Sequence, residues 1–270
     1  MVLFYIMNLI KTYLSIVAIF IFASSSFAQT KPDKVSHAEP LYFDLVRDLG
    51  ARKGEKEINV GADFTNNTNF NEHAYLIEYE FAPINRFGFE VEADLSFFKR
   101  KNPVSEIPNH KLECLRFSSQ YSFFVSTKLK TTLAVGYTQI VELTNFKNYG
   151  KQNFFTGTVY NPFFVAAKRW GNNFHSLIYV SPLLKHDFTK KSLVLNWQIN
   201  TSFHYIIPNT KHFIGVELNK EINNDKFEMI IRPQVKLKLT PKMALGFVTG
   251  IAINKPTERY SSFLRIIYEP

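Results

Sequence analysis

At 270 residues the chain is long enough for one large β-domain or two small ones. Its 27 Phe and 13 Tyr favour strands, whose pleated surface accepts flat rings, and its 11 Gly and 12 Pro exclude collagen-like and low-complexity chains. The formal charge is +9, but the basic residues are scattered and no zinc or RNA-binding signature accompanies them. Nucleic acid is therefore not an expected partner, and solvated loops attracted to anionic lipid headgroups account for the charge more simply. A single cysteine, Cys114, rules out a disulfide within the chain and a multi-cysteine zinc site.

Residues 1–28 read as a signal peptide. Lys11 supplies the positive charge, Tyr13 to Phe22 form the apolar run, and Ser26 and Ala28 place small side chains where a signal peptidase reads. Cleavage is expected before Gln29. The small residues after Phe22 argue against an uncleaved anchor, and no cysteine stands at the cleavage point to make a lipoprotein. Lys11 is the only charged residue removed, so the mature chain keeps +8. Beyond Ala28 no apolar run approaches the roughly 20 residues of a spanning helix. A membrane crossing is then possible only as a closed β-barrel, because open strands leave backbone groups unpaired in lipid.

Residues 29–56 are polar and punctuated. Leu41, Leu45 and Leu49 recur at i, i+4 and i+8, which predicts a short helix ending at Gly50 in an N-terminal periplasmic segment. Its stripe could plug a barrel's lumen or dock on a periplasmic partner, and capping the barrel mouth is the default expectation. Just here His37-Ala38-Glu39-Pro40-Leu41-Tyr42-Phe43-Asp44 resembles the motif of the HAEPLYID family of bacterial proteins, with Phe43 in place of the motif's Ile. The resemblance implies an exported protein and brings no catalytic or binding residues with it.

From residue 57 the period changes to two. In Phe87 to Phe97 every odd position is apolar and every even one is Gly, acidic or Ser. Ile58 to Phe64, apolar at its even positions, and Tyr75 to Phe81, Leu115 to Phe123, Leu133 to Tyr137, Leu193 to Tyr205 and Met229 to Leu237, apolar at most odd ones, alternate with the same period of two. Weaker runs lie at 159–170, 174–186, 212–222, 243–254 and 260–269. Pro162, Pro182 and Pro233 fall inside these runs, where a missing donor predicts a bulge or a strand end. The sum is about twelve strands of roughly ten residues, the length a tilted strand needs to cross the hydrocarbon core.

Short turn-rich links stand at 82–85, 126–128, 171–173, 208–210 and 240–242. Between them come mostly longer polar links at 65–72, 99–111, 144–154, 186–192, 221–226 and 255–259. Short turns alternating with longer loops are the pattern of an outer-membrane barrel, and an even strand count puts both termini on the periplasmic side. The expected fold is therefore all-β, a single antiparallel transmembrane barrel over 57–270.

If the apolar set faces lipid, the other set faces the lumen. That puts Glu78, Glu80, Glu90, Glu92 and Asp94 on one wall, Arg116 on the neighbouring strand, and Arg232, Lys236, Lys238 and Arg265 farther round. Such walls could sort solutes by charge or could close the lumen by pairing across it. Ser202 and His204 share a face, but residues i and i+2 of a strand stand about 6–7 Å apart, too far for a nucleophile–base bond. His37, Glu39, His175 and His186 show no metal-ligand spacing, and no phosphate loop or dinucleotide fingerprint is present. No cofactor, metal or catalytic residue is expected. The functional expectation is a passive channel for small hydrophilic solutes. A closed anchor or docking barrel is the alternative, and a lipid-acting enzyme a lesser one. Outer-membrane lipid, small hydrophilic solutes and the barrel-assembly machinery are the expected partners.

Overall fold

The computed structural model describes residues 32–270 except positions 44, 105, 224, 225 and 256, so the signal-peptide segment 1–28 lies outside the described residues. Among the described residues twelve strands follow one another. They are β1 (Lys56–Asn67), β2 (Phe70–Ile84), β3 (Phe87–Arg100), β4 (Lys111–Ser126), β5 (Thr131–Leu143) and β6 (Phe155–Trp170). The second half adds β7 (Phe174–Asp187), β8 (Ser192–Ile206), β9 (Phe213–Asn223), β10 (Lys226–Lys238), β11 (Met243–Ala252) and β12 (Glu258–Tyr268). Each pairs antiparallel with its neighbours in sequence, and β12 returns to β1 with Ile58 opposite Tyr268 and Asn66 opposite Tyr260. Closure leaves no strand edge unpaired.

The period of two becomes two surfaces. Along β2, Ile77 is 58 % exposed while the next residue, Glu78, is 1 % exposed. Val60, Phe117, Val135, Trp197, Ile214 and Phe247 likewise stand on the outer face. A continuous apolar belt of this kind is unfavourable against water and is the lipid-facing surface of a transmembrane barrel.

Two expectations about connections are corrected. The polar stretch 65–72 is not a loop, because β1 runs on to Asn67 and β2 begins at Phe70, with Thr65 paired to Glu72 and Asn66 to Asn71. The strands also run into 186–192 and 221–226, leaving only 188–191 and 224–225 between them. Only 101–110 and 144–154 are long links at that end. Hydrophobic alternation marks where a strand touches lipid, whereas the hydrogen-bonded ladder continues beyond the belt, where outward residues are polar. The prolines also behave differently from expectation. Pro162, Pro182 and Pro233 lie within β6, β7 and β10, and the pairing register is kept across each of them. The β6–β7 ladder keeps one register on either side of Pro162 and Pro182, pairing Tyr160 with Leu184 and Phe164 with Val180. Across that stretch the Ser181 hydroxyl donates to the Pro162 carbonyl at 2.9 Å, supplying a donor where proline has none.

The N-terminal segment is the larger correction. It is not a helix at the barrel mouth: among its described residues there are only bends and turns, and Arg47 has φ +59°. The segment lies inside the barrel, with Leu41, Leu45 and Leu49 all 2 % exposed or less. Leu45 and Leu49, with Phe43 and Val46, pack on Phe163, Val165, Ala167, Leu177 and Tyr179 of β6 and β7. Leu41 and Ala38 pack on Ala244, Val248, Phe263 and Ile267 of β11 and β12. Burying each leucine contributes about 1.5–3 kcal/mol, so the stripe does signal burial. The backbone avoids a helix because the barrel wall supplies the hydrogen-bond partners a helix would otherwise have to supply itself.

Candidate channel lumen

The wall that receives the segment is polar where the backbone needs partners. Glu217 on β9 is wholly buried, and its Oε1 accepts from the N–H of Leu41 at 2.7 Å and of Tyr42 at 3.0 Å, while Oε2 accepts from Phe43 at 3.3 Å. Gln234 on β10 completes the cradle. Its Oε1 accepts from Leu41 N–H at 2.9 Å, and its Nε2 donates to Glu217 at 2.8 Å. From β12, Arg265 donates to the Leu41 carbonyl at 3.2 Å and, through Nη2, to both oxygens of Glu78 at 2.9 and 3.0 Å. Arg232 lies over the Tyr42 ring, its Cζ 3.2 Å from the centroid, and donates to Ser261.

The ends of the segment are held as well. The N–H of Ala38 donates to His175 Nδ1 at 3.0 Å, and His37 Nε2 lies 3.0 Å from the Thr132 hydroxyl. Arg47 pairs with Glu57 at 2.6 Å, Asp48 at 2.9 Å and Glu80 at 3.4 Å. Gln120 donates to the Arg47 carbonyl, and Gly50 N–H donates to Ser122. Backbone bonds Gly54 to Ala82 and Arg86 to Ala51 then fasten the segment beside the β2–β3 turn. The plug therefore fills the lumen on the side of the short turns.

The residues expected on the lumen wall do not stand as two separated walls. Glu78, Glu80, Glu90, Glu92, Arg232 and Arg265 are buried. Arg116 pairs with Asp94 at 2.9 Å and Glu92 at 3.3 Å. Closure makes β12 a neighbour of β1, so Arg265 is not far round the barrel and reaches Glu78 directly. Lys238 pairs with Glu269 at 3.0 Å near the short-turn end, and Lys236 is half-buried. The opposing charges largely pair locally instead of setting a field across an open bore. His204 Nε2 meets the Gln234 amide at 3.0 Å, and the buried Ser202 hydroxyl has no hydrogen-bond partner, so the two form no nucleophile–base bond.

On the loop side of the plug a cavity of about 610 Å³ remains. Tyr42, Phe43 and Val46 of the plug are part of its lining, and it extends past Glu78, Glu90 and Glu92 to Phe70, Pro108 and Lys111 near the long loops. One carboxylate oxygen from each of Glu78, Glu90 and Glu92 lies within 4.8 Å of the others. Sequence reasoning did not single out Glu217 or Gln234. A signal for the plug was present nevertheless. The 159–170 run is apolar on both faces between Phe163 and Ala167, the 260–269 run adds Phe263 and Ile267 to its inner face, and in a barrel such inner apolar surface needs an internal partner.

The fold is shared with solved barrels of low sequence identity. An outer-membrane channel from Pseudomonas putida F1 superposes with a TM-score of 0.68 at 10% identity, covering 83% of this chain and 98% of that one. The KdgM porin gives 0.54 at 11% identity over 78% and 98%, and the NanC porin 0.55 at 10% over 79% and 99%. No curated protein matches the chain. The model of the HAEPLYID-like family matches residues 33–269, which takes in the plug and all twelve strands, and the chain belongs to that family.

Proposed function

We propose that this protein is an outer-membrane channel for small hydrophilic solutes whose short-turn end is closed, in the state described, by residues 33–55. The observation that carries the reading is the division of the interior. A polar, charged cavity opens toward the loops, and a hydrogen-bonded segment of the same chain stops it on the other side. Strand-encoded barrels keep long loops outside and short turns in the periplasm, so the plug faces the periplasm. The fold likeness to an outer-membrane channel and two porins supports the same location and class.

The test is conductance in a planar bilayer, comparing the mature chain with one lacking residues 33–49. The intact chain should be silent or open rarely, and the shortened chain should carry a steady current. A shortened chain that inserts and stays silent would mean a closed barrel serving as an anchor, and the channel reading would fall.

The plug also carries groups that make its seat depend on pH. Desolvation, then the negative charge of Asp48, pushes the Glu39 carboxyl up to about 8, while it accepts the Leu49 N–H. Desolvation, then His175 and Arg169, lowers His37 to about 3. The docked state holds the Glu39 proton more tightly than the free segment, so that contribution is complete below 4.5 and is lost as pH rises through about 8. The docked state resists protonation of His37, so that contribution is complete above 6.5 and is lost as pH falls toward about 3. The two slopes offset each other from 4.5 to 6.5, and between 6.5 and 8 only the Glu39 slope remains. The open fraction should therefore rise over that upper interval, by at most about tenfold per pH unit. Recordings at a series of pH values should show the rise, and Glu39→Gln should flatten it.

A further inference from the structure

We infer that the loop-side cavity is a binding site for a small organic cation, a polar solute carrying a protonated amine. The inference deepens the channel reading and rests on it for the solute's route, although binding itself does not require conduction. The first observation is a reversal of sign. The chain as a whole is basic at +9, yet among the described residues the cavity lining holds seven carboxylates against three cations, Lys111, Arg116 and Arg265. The three cations are already engaged, by Glu113, by Glu92 and Asp94, and by Glu78 respectively. Glu90 is 5 % exposed and accepts from the neutral Ser118 hydroxyl at 2.9 Å. Its carboxylate stands among those of Glu78 and Glu92, and among the described residues no cation forms an ion pair with it. Grouped buried carboxylates are costly, and a cavity with low-dielectric walls concentrates their field on whatever enters.

The second observation is independent of charge. Asn200 lines the same cavity, is 0 % exposed, and among the described residues neither its Oδ1 nor its Nδ2 has a hydrogen-bond partner. An amide buried with both ends unpaired is unfavourable in an isolated barrel and suited to a ligand that both accepts and donates. Asn161 and Gln198 line the cavity too, and Phe163, Tyr179 and Phe263 offer flat apolar surface. The volume of about 610 Å³ fits a small organic molecule and far exceeds what one metal ion fills. Carboxylates for an ammonium, amides for hydroxyls and rings for a carbon skeleton describe an amino sugar or a similar polar amine.

The test is isothermal titration of the folded mature chain in detergent, at about pH 6 so that amines are protonated. Three matched sugars serve as probes, galactosamine, galactose and galacturonate, with calcium chloride alone as a fourth. Galactosamine should bind at least about tenfold more tightly than galactose, and galacturonate should bind least. Glu90→Gln and Asn200→Leu should each weaken galactosamine severalfold, with folding checked by heat-modifiable mobility. Equal or absent binding of the three sugars to the unaltered protein would overturn the site, whatever the variants do. Calcium binding without galactosamine binding would overturn the organic ligand. Galactosamine binding by a protein that stays silent after removal of residues 33–49 would support the site and overturn the channel.

Discussion

Replacing Glu217 with Leu should release the plug while leaving the barrel closed. The carboxylate accepts three consecutive backbone N–H groups, and Gln234 can still serve only Leu41. The N–H groups of Tyr42 and Phe43 would face an apolar wall, and each unsatisfied donor costs about 1–3 kcal/mol. Docking should then weaken by about 2–6 kcal/mol, roughly 30-fold to 10⁴-fold. The check is trypsin digestion followed by mass spectrometry. Arg47 is 3 % exposed in its seat, so cleavage after it reports undocking. Glu217→Gln keeps one acceptor oxygen and should fall between the two. An unchanged cleavage rate in Glu217→Leu would show that the carboxylate does not hold the segment.

Gly88→Val should open the channel by a different route. Gly88 lies on the inner face of β3, and a Cβ there would stand 2.2 Å from the Val46 carbonyl oxygen and 2.8 Å from the Arg47 Cβ. The first of these is backbone and cannot swing aside. The φ of Gly88 is not in the left-handed region, so the strand itself accepts a side chain. The clash falls on the plug, where overpacking typically costs about 1–3 kcal/mol. The open fraction should rise by about tenfold to a hundredfold, approaching the chain shortened by residues 33–49. A current no greater than that of the unaltered protein would mean that the segment shifts along the wall without leaving it.

Much of this architecture is written in the chain. Phe87 to Phe97 alternates so strictly that β3 and its two faces follow from side-chain period alone. The inward set from Glu78 to Arg265 follows from the same rule, because a barrel in lipid has only two sides. Local chemistry also set the limits of that reading. Outside the lipid belt alternation fades while the ladder continues, so 65–72 reads as a loop and folds as paired strand.

What the sequence could not decide depended on groups distant in the chain. The spacing of Leu41, Leu45 and Leu49 implies one buried stripe, and helical spacing is the only local way to make one. The tertiary structure made it without a helix, because Glu217 and Gln234, some 175 to 193 residues away, accept the backbone N–H groups at Leu41 to Phe43. Closure likewise placed Arg265 beside Glu78, a pairing across 187 residues that no local pattern encodes. Period and composition determined which residues face inward. Whether that interior is a bore, a plug or a binding cavity was decided only when the two ends of the chain met inside it, because hydrogen-bond satisfaction of a buried segment is a property of the wall around it.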